Sequence, residues 1–271
     1  MRGNRKDARD PMTDLPALFL SHGSPMLAIT ETPASLFLKG LAAELPAPKA
    51  ILCVTAHWET GEPMLSAAER PGLIDDFYGL PEALYRVAYP APGDPALARR
   101  AAGLLSDAGF APQLDESRGY DHGTWVPLQL AFPAADIPVV QLSVQPDRDT
   151  AHHLALGRAL RPLRDEGMLI AGSGNVTHNL RAFRGQPADA PAEPWAESFA
   201  EWLAAAVAEG READLLAYRE RAPEAARNHP SEEHFLPFFV ALGAATPGTP
   251  GRRLHRSMEH AVLSMDGYAF A

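Results

Sequence analysis

Ten histidines are spread along this 271-residue chain, and the placement of a few of them suggests chemistry. His22 follows the apolar run at 17–20, and His57 follows the run at 50–55. His178 follows the run at 168–171 and a Gly172-Ser173-Gly174-Asn175 turn. Short apolar runs ended by polar residues, glycine or proline read as buried strands entering loops. His234 stands between Pro230-Ser231 and the apolar FLPFFVAL, where the spacing predicts the start of a helix. In parallel α/β sheets, ligands bind beyond the carboxyl ends of the strands. Such a sheet would carry His22, His57 and His178 to one edge, and neutral imidazoles gathered there make a metal site. The spacing matches no short zinc motif. Each histidine taken alone also reads as a loop cap.

The remaining histidines read differently. His122, in Asp121-His122-Gly123, is either part of a structural turn or a substrate contact. His152 and His153 fall in the first turn of a helix and are expected to face solvent. His255 and His260 are expected on the surface, and His229 is fixed in a loop by Pro230. The single cysteine, Cys53, reads as a small core residue and excludes an internal disulfide, which fits a reducing compartment.

Other catalytic motifs fail. Thr177 stands where a dinucleotide fingerprint starting at Gly172 needs its third glycine. There is no Walker-type GK[ST] and no G-x-S-x-G elbow.

The elements that must position the histidines follow from pattern. Strands are expected at 17–20, 50–55, 138–144 and 168–171. Helices are expected at 34–45, 96–109, 126–132, from Asp149 or Thr150 to 163, at 194–209 and at 211–220. A last helix is expected to be capped by Ser231, with Glu232 and Glu233 in its first turn. Alternation of strands and helices predicts one α/β domain, with a mostly parallel central sheet and helices on both faces. No internal repeat or linker divides it.

Hydrophobic residues make up 46%, enough for a large core, and the 26 prolines imply many defined loops. A formal net charge of -10 and the lack of a basic run argue against nucleic acid as a partner. No apolar run approaches the ~20 residues of a membrane span. The charged N-terminus lacks the apolar stretch of a secretory signal, so a cytoplasmic location is expected. Residues 1–11 are expected to be a disordered extension, with Met12 an alternative start and 12–271 the folded domain.

Six stretches are familiar together: LFLSHGSP, VTAHWE, DFYGLPEALYRVAYPAPGDP, GYDHGTWVPL, GSGNVTHNL and NHPSEEHFLPF. In this order, from about residue 15 onward, the chain resembles the class III extradiol ring-cleaving dioxygenases of the LigB-like superfamily, and more narrowly the 4,5-DOPA extradiol dioxygenase family. The resemblance implies a catalytic domain over 12–271 with one divalent metal ion, Fe(II) for activity. His22, His57 and His234 match the family's metal ligands. His178 matches the acid/base histidine beside the metal, sometimes drawn as a fourth ligand, and His122 matches a histidine lining the substrate pocket. Many relatives use a glutamate as third ligand; here that position is His234, and a helix would turn Glu232 and Glu233 away from it. Zinc also accepts three histidines, so Zn(II) is a second candidate ion. The implied reaction takes a catechol and O2, opens the ring beside the diol and gives a muconic semialdehyde. A zinc hydrolase on the same histidines is the alternative. The loops at 71–95 and 118–125 would shape the pocket, with Arg118 or Arg227 as candidates for a substrate carboxylate.

Overall fold

The computed structural model describes residues 14–271. The expected extension at 1–11 lies outside them. The first half of the chain runs β1 (Ala17–Ser21), α1 (Pro33–Leu41), β2 (Ala50–Glu59), β3 (Met64–Ser66), α2 (Pro95–Asp107), β4 (Gln113–Asp115), α3 (His122–Ala131) and β5 (Val139–Val144). Then come α4 (Thr150–Leu160), α5 (Pro162–Asp165), β6 (Met168–Gly174) and α6 (Pro194–Ala208). Short helices α7 (Glu212–Leu216), α8 (Tyr218–Arg221) and α9 (Ala225–Asn228) lead to α10 (Leu236–Gly243). The chain closes with β7 (Arg252–His255), β8 (Met258–Glu259), β9 (Leu263–Ser264) and β10 (Gly267–Phe270).

Eight strands form one sheet in the order β4-β3-β5-β2-β6-β1-β10-β7. Its centre is parallel, as the alternating pattern requires: β2 pairs with β5 and β6, and β6 with β1. Antiparallel pairs appear toward the edges, at β1–β10, β10–β7 and β3–β5. Successive side chains on a strand point to opposite faces. On β1, Phe19 joins a core with α2, α4, α6 and α10, whereas Leu18 and Leu20 join one with α1 and α3. Phe238 of α10 is fully buried against Phe19, Phe239 and Phe270. Burying such a ring contributes roughly 1.5–3 kcal/mol.

α10 lies directly on the backbone of β6. A Cβ added at Gly172 would stand 2.3 Å from the Pro237 carbonyl oxygen, and one at Gly174 would stand 2.0 Å from that of His234. No side chain fits at either position, and this contact sets the height of His234 above the sheet.

Several expected boundaries shift. β2 continues to Glu59, so His57 lies within the strand rather than past it. The register against β5 breaks between Val54 and Glu59, an irregularity of the kind that re-aims side chains beside active sites. α3 starts at His122, four residues before the expected helix, because the buried Asp121 carboxylate caps the Thr124 amide. The 211–220 helix is broken into α7 and α8 around Ala217. Ser231 caps no helix: residues 231–235 form a turn and α10 begins at Leu236. His153 is fully buried, donating from Nδ1 to the Asp149 carbonyl and accepting the Gln145 amide at Nε2. His152 is only partly exposed and bonds Gln145 Oε1.

Candidate active site

His22 ends at the carboxyl edge of the sheet because its amide extends the β1–β6 ladder to the Gly174 carbonyl. His57 comes from the irregular end of β2, and His234 from the turn ahead of α10. His122 opens α3. His178 follows β6, its amide donating to the Asn228 carbonyl at 3.0 Å. The folded chain brings all five to one place.

The distances are short. His57 Nε2 lies 3.0 Å from His22 Nε2 and 3.3 Å from His234 Nε2. The ligand atoms of His22, His57 and His122 fall within 4.8 Å of one another, and those of His178, Glu233 and His234 form a second such group. His57 links the two groups through His234. The His178 ring lies flat on that of His234, centroids 3.4 Å apart.

The outer ring nitrogens fix the tautomers. Ser173 Oγ donates to the Gly123 carbonyl, so it can only accept from His22 Nδ1, at 3.0 Å. The Glu233 carboxylate accepts from His234 Nδ1 at 3.0 Å. Both rings therefore carry their proton on Nδ1 and present a bare Nε2. Asp76 Oδ1 accepts from His122 Nδ1 at 2.8 Å, and its Oδ2 faces His57 Nδ1 at 3.7 Å. These are the carboxylate and hydroxyl partners that metal-bound imidazoles require.

The bare Nε2 atoms of His22 and His234 both face His57 Nε2, so three ring nitrogens converge on one point. Three nitrogens each about 2.05 Å from one tetrahedral cation would stand about 3.3 Å apart, close to what is observed. The residues present therefore fit a divalent ion.

Electrostatics agree. Burial, reinforced by neighbouring imidazoles, pushes His22 and His57 well below the ordinary imidazole range. Burial also lowers His234, although Glu233 opposes it. Burial and the adjacent His234 lower His178. Burial alone would raise Glu233, but the hydrogen bond from His234, the pull of that ring and hydrogen bonds from Ser231 and the backbone together outweigh it and hold the carboxyl at about 2. The cluster is thus a set of neutral donors flanked by an ionised acid.

Above the imidazoles opens a cavity of about 440 Å³, walled by Phe77, Leu180, Phe183 and Val262 among others, with His57, His122, His178 and His234 on its lining. Only part of the 71–95 loop contributes, through Asp76 and Phe77. Arg118 is not available to a ligand: it bonds Asp121 Oδ2 at 2.9 Å and the His57 carbonyl at 3.2 Å, with its guanidinium over Trp58. Glu233 does not turn away from His234 but bonds it, because no helix carries the pair; Glu232 bonds Tyr218 instead. His260, expected on the surface, lines the cavity with its Nδ1 on the Gln186 carbonyl. His255 is half-buried, stacked on Phe37. The pattern gave no sign of Asp76 or Ser173 as partners of the histidines. The one available cue was Ser173 beside Gly172 and Gly174, at a strand end that also leads to His178.

An α/β sheet whose carboxyl edge gathers buried neutral imidazoles under an apolar cavity defines a metal-dependent catalytic domain. The chain belongs to the family described as the catalytic LigB subunit of aromatic ring-opening dioxygenase, which matches residues 16–271. It is an aromatic ring-opening dioxygenase of the extradiol type. It is 43% identical over 256 residues to a 4,5-DOPA dioxygenase extradiol of Beta vulgaris, covering 93% of this chain and 95% of that one. It is also 43% identical over 243 residues to a 4,5-DOPA dioxygenase extradiol of Escherichia coli (strain K12), covering 88% of each. The crystal structure of an uncharacterized protein from Escherichia coli K12 is similar throughout, with TM-score 0.79 and 36% identity, covering 95% of this chain and 100% of that one. Among the described residues, no helix is long and apolar enough to cross a membrane.

Proposed function

We propose that His22, His57 and His234 hold one Fe(II) through their Nε2 atoms. Residues 12–271 then act as one catalytic domain that inserts both atoms of O2 into a catechol-type, DOPA-like substrate and yields a muconic semialdehyde. The observation that carries this reading is the convergence of three Nε2 atoms, at 3.0 and 3.3 Å, beneath the apolar cavity. The names of the relatives support the substrate class. When bound, Fe(II) favours the ionised catechol and supplies the redox capacity that Zn(II) lacks.

The chain's own groups do the rest. Phe77, Leu180 and Phe183 keep water from one face of an aromatic ring in the cavity. His122, with Nδ1 donating to Asp76, presents Nε2 as an acceptor for a substrate hydroxyl. His178 is neutral and able to take a proton from substrate, then return it at the oxygen. The free, buried Cys53 fits a cytoplasmic enzyme.

The test is metal reconstitution without air, followed by oxygen uptake with a panel of catechols. Iron-loaded protein should consume oxygen, and zinc-loaded and metal-free protein should not. Equal uptake by all three refutes the reading, and ester or amide hydrolysis by the zinc form alone would favour a hydrolase. His57→Ala should remain folded and lose the ion; full metal occupancy in that variant would remove His57 from the ligand set.

A further inference from the structure

The segment 179–184 is a partition with two different faces. Leu180 and Phe183 line the catalytic cavity, 68% and 47% exposed. Arg181 and Arg184 line a second groove of about 330 Å³ on the other side. Arg227 completes that groove, its guanidinium 4.5 Å from the centre of the buried Trp195 ring. Asn179 and Val262 belong to the walls of both cavity and groove.

The groove is held in shape by its backbone. Asn179 Nδ2 donates to the Arg227 carbonyl at 2.6 Å, and its Oδ1 accepts the Arg181 amide at 3.1 Å. The Arg184 amide donates to Gln186 Oε1 at 2.6 Å. Among the described residues, Arg181, Arg184 and Arg227 have no ion-pair partner, whereas Arg100, Arg158, Arg253 and Arg256 each face a glutamate. Glu193 is the one carboxylate on the lining, set against three guanidiniums. On a chain of net charge -10 this is a local reversal of sign next to the catalytic cavity. Guanidiniums present paired donors that match a carboxylate.

We propose that this groove takes the carboxylate of the substrate's side chain, so that the enzyme selects anionic catechols over neutral ones. The proposal rests on reading the adjoining cavity as the catechol site. The ring would lie on the Leu180 and Phe183 face of the partition, and the acid would reach the arginines beyond Asn179.

The experiment compares dihydrocaffeate with its primary amide, two catechols of matched length that differ in charge. Iron-loaded wild type should favour the acid in kcat/KM. A charge-assisted hydrogen bond changes affinity by ~10-fold or more. The Arg181→Gln/Arg227→Gln double variant should therefore lower the acid-to-amide ratio by at least ~10-fold, mainly through KM. Arg99→Gln removes one charge, half of what the double variant removes, from exposed α2 as a control for long-range charge, and its ratio should match wild type. Calorimetry under nitrogen should show the same change of preference in Kd without turnover. An unchanged ratio in the double variant overturns the groove as a substrate subsite, as does an equal loss in Arg99→Gln, which would mean long-range charge only. Absence of turnover with either catechol in iron-loaded wild type overturns the dioxygenase reading itself, and the subsite with it.

Discussion

The imidazole of His178 lies parallel to that of His234, with 3.4 Å between ring centroids and 8° between planes. Two positive rings would repel at this distance, and burial lowers both pKa values. His234 is tied through Nδ1 to Glu233, while the described hydrogen bond of His178 is made by its backbone. One ring is anchored through its Nδ1 and the other stacks on that ring, an arrangement that suits the proposed roles of ligand and acid/base.

His178→Ala should accordingly keep near-normal Fe(II) content and substrate affinity while kcat falls by about 10²–10⁴-fold, the usual contribution of a general acid–base group. Iron content and kcat measured on one preparation decide it. Loss of the iron would make His178 a ligand, and wild-type kcat would reduce it to a packing residue.

Glu233→Gln should weaken metal affinity by about 10–100-fold, because the partner that orients and polarises a metal-binding imidazole is tuned nearly as finely as the ligand. The amide keeps the size of the side chain but removes the charge from the 3.0 Å contact with His234 Nδ1. Competition with a chelator of known affinity measures the change. An unaltered metal Kd would mean that the acid only shapes the turn.

Gly123→Ala tests the support of His57 without replacing a titratable group. The added Cβ would stand 2.9 Å from both His57 Cδ2 and Thr55 Oγ1, in a wall that cannot give freely because Thr55 Oγ1 donates to the buried Asp121. Overpacking of this kind costs about 1–3 kcal/mol. Metal affinity should drop at least ~10-fold, which corresponds to about 1.4 kcal/mol. Wild-type metal affinity and melting temperature together would show that the ring can move aside.

His153 gives a pH-dependent prediction away from the site. Burial lowers its pKa to about 4, against an ordinary value of 6.5. Between those values the unfolded chain binds the proton that the folded chain refuses. Stability from this residue is therefore full above pH 6.5, is lost as pH falls toward 4, and then levels off. The total is about 3 kcal/mol. Urea titrations of His153→Gln should show a loss between pH 6.5 and 4 smaller than wild type by about that amount. Identical pH slopes would contradict it.

The sheet's centre and its ligand edge were readable because buried parallel strands are continuous apolar runs, and His22 and His178 follow such runs after a clear punctuation. The C-terminal strands were not, since β8 and β9 are two residues long and carry no pattern. Glu233 was misjudged because the favourable cap at Ser231 suggested a helix, and a helix would have turned the acid away. His153 looked solvent-facing in a first turn, yet α4 presses onto α10 so closely that a Cβ at Gly157 would meet the Val240 carbonyl oxygen at 2.0 Å. His260 and Ala261 adopt positive φ of 52° and 65° without a glycine to announce the turn that brings His260 to the cavity.

Gly172 and Gly174 let the turn bearing His234 rest on β6, and His22 and His57 arrive from β1 and β2, more than 170 positions earlier in the chain (His57 and His234 are separated by 177). A growing polypeptide therefore carries two of the three proposed donors long before the third exists. On the proposed ligand set the assembly would work as an interlock: a chain stopped short of residue 234, or one whose sheet has not closed, would lack the complete seat for the ion. Oxygen chemistry would thereby be confined to finished molecules, and an ion held by these three residues would rivet the earliest strands to the turn before the last helix of the core.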